Sequence, residues 1–108
     1  MTRAFTFAAA LLVIGAGASL AAHAHTLLCE CQEIASDQVQ CKGGFAHGSG
    51  ASGITVDVID YDENTVVAGK FADDSTFTFK RPAGEFYVLM DMGAGHTLEV
   101  DYTEIKKR

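Results

Sequence analysis

Histidine and cysteine are the residue types in this chain best suited to bind or react, and both are grouped. The segment Ala22-His23-Ala24-His25 follows an uncharged apolar run from Ala4 to Ala22, which itself follows Arg3. That arrangement is expected of a secretory signal peptide. Ala22 and Ala24 satisfy the small-x-small rule, so cleavage after Ala24 is expected to leave His25 as the first residue of the secreted protein. A free α-amine and the imidazole Nδ1 of one histidine can close a chelate ring on a borderline cation such as Cu(II) or Ni(II). An α-amine titrates at about 7.7–8.0 and histidine near about 6.5, so both give up their protons near neutral pH. Cleavage after Ala22 would instead place His25 third. The amine, two amides and that imidazole would then suit a square-planar Cu(II) or Ni(II).

Two further histidines lie in or beside glycine-rich stretches. His47 falls within GGFAHGSGASG, residues 43–53, and His96 ends Gly93-Ala94-Gly95-His96. With His25 they would offer three imidazoles, and the amine a fourth nitrogen, enough for a Cu, Ni or Co site. The bland alternative is a surface histidine bonded to its own loop. No pair has the close helical spacing of a zincin-type motif.

Cys29, Cys31 and Cys41 form the second group. In an exported chain a disulfide is permitted, and the odd count leaves one thiol over. Cys41 is expected to bond to Cys31 or Cys29 and to staple a small domain. The competing use is a thiolate pair for Cu(I), or a redox dithiol. The spacing lacks the two separated ligand pairs of a zinc finger.

Other polar groups read as structural. Asp57, Asp60, Asp62 and Glu63 lack the regular spacing of a calcium loop and read as a solvated turn. Phe77, Phe79, Phe86 and Tyr87 read as packing. Ser49 and Ser52 have no nucleophile signature, and no catalytic constellation is present, so no enzyme activity is expected.

Removal of the first 24 of 108 residues leaves 84, which is one domain near the small end of what a hydrophobic core supports. That part keeps all 14 acidic residues and seven of the eight basic ones, a formal charge of −7. Such a surface disfavours nucleic acid and anionic membrane. The apolar run approaches the roughly 20 residues that span a bilayer, so an uncleaved leader would tether the protein to the inner membrane. Leu28 before Cys29 argues against a lipoprotein site.

The elements that must position these groups are strands. From Thr26 the apolar residues alternate, with Leu27, Cys29 and Cys31 on one face. After a turn at Ala35-Ser36-Asp37, Val39, Cys41, Gly43 and Phe45 continue the pattern. This predicts a hairpin with all three cysteines on its apolar face. Residues 43–53 read as a loop. Strands follow over 54–61, 65–71, 76–80, 85–91 and 97–102, with Gly- or Asp-rich turns between them. The Lys106-Lys107-Arg108 tail is expected to fray. Seven short strands without a helix predict an all-β sandwich of the Ig-like kind.

From Gly53 onward, ITVDVIDYD, VVAGKF and FTFKRPAGEFYVLMDMG resemble a transthyretin-like or carboxypeptidase-regulatory-like sandwich. With a histidine at the mature N-terminus, the segment Gly44-Phe45-Ala46-His47-Gly48-Ser49 and the later Gly93-Ala94-Gly95-His96 narrow the likeness. Together they resemble small periplasmic accessory subunits of nickel/cobalt transporters of the energy-coupling-factor type. The resemblance implies capture of Ni(II) or Co(II) as cargo by His25, His96 and His47, and delivery to membrane transporter subunits. It implies no small-molecule substrate. A periplasmic copper carrier using the same N-terminal histidine, and a metal-free interaction module, are the competing readings.

Overall fold

The computed structural model describes residues 26–108. The signal-peptide segment 1–24, with His23, and the first proposed ligand, His25, lie outside the described residues.

Among the described residues, seven strands form two antiparallel sheets. They are β1 (Leu27–Ala35), β2 (Gln38–Phe45), β3 (Thr55–Asp60), β4 (Thr65–Lys70), β5 (Thr76–Lys80), β6 (Phe86–Asp91) and β7 (Thr97–Asp101). One sheet has the order β1-β2-β5, the other β4-β3-β6-β7. The chain changes sheet after β2, β4 and β5, a Greek-key interleaving of the Ig-like kind. The expected all-β sandwich is therefore the fold. No helix among the described residues is long and apolar enough to cross a membrane.

The period of two seen in the sequence is the period of burial. In β6, Phe86, Val88 and Met90 are fully buried while Tyr87, Leu89 and Asp91 are only partly so. Val56 and Val58 of β3 face the same interior, and Val39 and Cys41 of β2 meet them from the opposite sheet. Each such apolar side chain contributes about 1.5–3 kcal/mol by leaving water. Phe79 meets Phe86 edge to face at 5.9 Å, and the Arg81 guanidinium lies 5.5 Å over the Phe86 ring. Arg81 also pairs with Glu33 at 3.3 Å, which ties β1 to the end of β5.

Two expectations need correction. Gly43 to Phe45 belong to β2 rather than to a loop, and Gly50 bridges back to Gly44. The reason is steric. A Cβ on Gly43 would stand 2.6 Å from Phe71 Cζ, so glycine here lets the strand pass beneath a buried ring. The tail is also pinned at Lys106. A 3-10 turn, Tyr102–Glu104, follows β7 and buries Ile105. The Lys106 N–H then donates to the Cys31 carbonyl, and the Glu33 N–H donates to the Lys106 carbonyl. Lys106 thereby occupies the free edge of β1 and meets the demand of exposed strand groups for partners.

Candidate metal centre

The strand pairings bring the histidine-bearing segments to one end of the sandwich. Leu27 pairs with Phe45, Lys42 with Thr76, Thr55 with both Lys70 and Asp91, and Asp91 with Thr97. The start of β1, the β2–β3 loop, the β4–β5 loop and the β6–β7 hairpin therefore share that end. The Ala46 N–H donates to the Thr26 carbonyl at 2.9 Å. His47 follows Ala46 in the chain, and His25 precedes Thr26.

His47 is exposed. Its ring stacks on Phe45 with centroids 5.4 Å apart, and its Nε2 lies 2.8 Å from the Ser49 hydroxyl. Ligation through Nε2 would displace that hydroxyl. The loop is held by the Phe45 N–H donating to the Ser49 carbonyl and the Gly48 N–H donating to the Phe45 carbonyl.

His96 is half-buried at the start of β7. Gly93, Ala94 and Gly95 all have positive φ, a conformation that glycine adopts without a steric penalty. The Asp91 carboxylate accepts from the Gly93 N–H, the His96 N–H donates to the Gly93 carbonyl, and the Met92 N–H donates to the His96 carbonyl. The tight turn fixes where the histidine leaves the hairpin. β1 packs beside β7, and Cys29 and Cys31 line the same cavity as Leu98 and Val100.

The cysteines form the tighter cluster. Cys31 and Cys41 are directly opposed in the β1–β2 ladder and are joined by a disulfide. The Cys31 carbonyl and the Glu33 N–H are used by Lys106 on the outer edge, so Cys31 and Cys41 form a pair without mutual backbone bonds. Such pairs bring side chains closest. Cys29 keeps a free thiol and is half-buried. Burial, and secondarily the Glu30 charge, push that thiol up to about 11, so it is protonated at neutral pH. The Sγ atoms of Cys29, Cys31 and Cys41 all lie within 4.8 Å of one another. Among the described residues this is the only group of three or more ligating side chains so close together.

The acidic residues are used locally. The Asp60 carboxylate accepts from the N–H groups of Asp62 and Asn64, and the Asn64 bond leads in holding its pKa below the usual carboxylate range. Asp101 caps the 3-10 turn, accepting from Thr103 and from the Tyr61 hydroxyl. These bonds account for the carboxylates as turn and cap partners.

Sequence reasoning placed the three cysteines on one face but treated two as a staple and the third as a remainder. The signal for their convergence was present, because a same-face neighbour two residues away in β1 sits diagonally across from Cys41. Compared with known proteins, the chain matches no family model, no curated protein and no solved structure.

Proposed function

We propose that the protein is an exported, periplasmic metal-binding accessory protein. It captures Ni(II) or Co(II) through His25, His96 and His47 and passes the ion to membrane transporter subunits. The observation that supports this reading is the common end of the sandwich, which the His47 loop and the His96 hairpin share with the start of β1, two residues after His25. Imidazole and amine donors suit borderline divalent cations. Loops joined to a rigid double sheet suit uptake and release, because ligands can rearrange without disturbing the core.

A second reading, a periplasmic copper carrier, is favoured by the three sulfurs gathered below that end. Cu(II) binds nitrogen ligands more tightly than Ni(II) or Co(II) in any case, so affinity alone does not separate the two.

The test uses protein exported through its own N-terminal segment. Its intact mass is measured, and it is titrated with Ni(II), Co(II) and Cu(II) beside a chain carrying one extra residue before His25. The expected outcome is a mass beginning at His25 and binding of Ni(II) or Co(II). The extension should weaken that binding at least tenfold, as should His96→Ala and His47→Ala. Equal, weak binding by natural and extended chains would sink the metal reading and leave a protein-interaction module.

A further inference from the structure

The cysteine cluster supports an inference that is independent of the histidine end. We propose that reduction of the Cys31–Cys41 disulfide opens a second metal site, in which the sulfurs of Cys29, Cys31 and Cys41 bind a soft monovalent cation of the Cu(I) class.

The geometry carries this. The three sulfurs already lie within 4.8 Å of one another. A cation held about 2.3 Å from each of three sulfurs in a plane spreads them about 4 Å apart. Release of the disulfide lets its two sulfurs separate to that spacing, and the third needs little movement. Strand register fixes all three positions. Cys31 faces Cys41, Cys29 faces Gly43, and all point into the sandwich. Gly43, across from Cys29, has no side chain of its own, and the buried Phe71 ring packs over it.

Access comes from a cavity of about 280 Å³ between β1 and β7, lined by Cys29 and Cys31 with Leu98, Val100, Glu104 and Lys106. Leu98 and Val100 line it beside the cysteines, and Glu30, Glu99 and Glu104 outnumber Lys106, a net negative lining that favours a cation. Three sulfur ligands satisfy a trigonal monovalent ion. A structural zinc site requires four protein ligands, and the cluster offers three.

The redox balance is simple. A dithiol reductant supplies two electrons and two protons. One of its thiolates attacks a disulfide sulfur, the second resolves the mixed disulfide, and Cys31 and Cys41 become thiols while the reductant becomes a disulfide. The cation then displaces thiol protons to solvent as it binds.

The experiment uses exported protein, oxidised or reduced under anaerobic conditions, titrated with Cu(I) against a chromogenic Cu(I) chelator. Sheet content is followed by circular dichroism. The reduced protein is expected to withhold one equivalent of Cu(I) with three sulfurs at the metal by X-ray absorption, and the oxidised protein none at sulfur. Cys29→Ser should weaken binding at least tenfold, whereas His47→Ala and His96→Ala should leave it unchanged. Equal retention by oxidised and reduced protein, unchanged affinity in Cys29→Ser, or two sulfurs at the metal would overturn the proposal. So would tighter competition by Zn(II) than by Cu(I). If reduction unfolds the chain, Cu(I) is expected to restore the sheet signal, and failure to do so also overturns it. Loss of this site with intact Ni(II) binding leaves the histidine reading standing, and the reverse result separates them equally well.

Discussion

At the scale of single residues, the molecule depends on a few side chains whose neighbours can be named. Phe86 is fully buried, touches Phe79 edge to face, and carries Arg81 over its ring. Phe86→Ala should cost about 3–5 kcal/mol in urea unfolding, because the cavity would open where the two sheets meet. Asp101 acts differently. Its carboxyl is held below the usual range, first by the Thr103 hydroxyl and then by the Tyr61 hydroxyl. A depressed carboxyl contributes stability that is present above its unfolded pKa and lost as pH falls through its folded one. The stability supplied by the cap should therefore be constant from neutrality down to about pH 4, the unfolded aspartate value, and should decline below it. Asp101→Asn should remove that part of the acid dependence, as read from unfolding midpoints across pH.

At the scale of elements, the decisive contact is between β1 and the end of the chain. Without Lys106, the outer edge of β1 would leave the Cys31 carbonyl and the Glu33 N–H to water. Removing residues 105–108 also takes away Ile105, which is buried. The loss should be about 3 kcal/mol, from one aliphatic side chain and two backbone hydrogen bonds. Hydrogen exchange supplies the specific readout, since the Glu33 amide should lose protection while the amides of β3 and β6 retain theirs. The hairpin histidine is likewise an element-level feature. The positive φ of Gly93 and Gly95 sets where His96 emerges, so a side chain at either glycine should disturb the histidine end before it disturbs the core.

At the scale of the whole molecule, a small two-sheet domain is closed by one covalent crosslink. The disulfide spans ten positions, and in the chain-entropy account a loop of that size stabilises by about 3 kcal/mol. The Cys31→Ala, Cys41→Ala double variant should lose about that much in denaturant unfolding yet keep its Ni(II) or Co(II) binding, since the proposed nitrogen ligands lie at the end of the sandwich. Loss of that binding together with stability would show that the histidine end depends on the staple.

The sequence by itself determined the number of strands, their faces and the all-β sandwich, because alternation of apolar residues is a local property with a period of two. Phe86-x-Val88-x-Met90 and Val56-x-Val58 were legible as core without any partner in view. It also determined that the three cysteines share a face. Tertiary structure alone decided that Cys41 opposes Cys31 rather than Cys29, because that choice rests on how two strands slide past each other. It alone decided that the His47 loop, the His96 hairpin and the start of β1 share one end of the sandwich, since those segments are placed by pairings between residues far apart in the chain. Lys106 was misjudged for the same reason. A short basic tail carries no local sign of the strand edge it will cover, and only the assembled sheet presents the unpaired Cys31 carbonyl and Glu33 N–H that hold it.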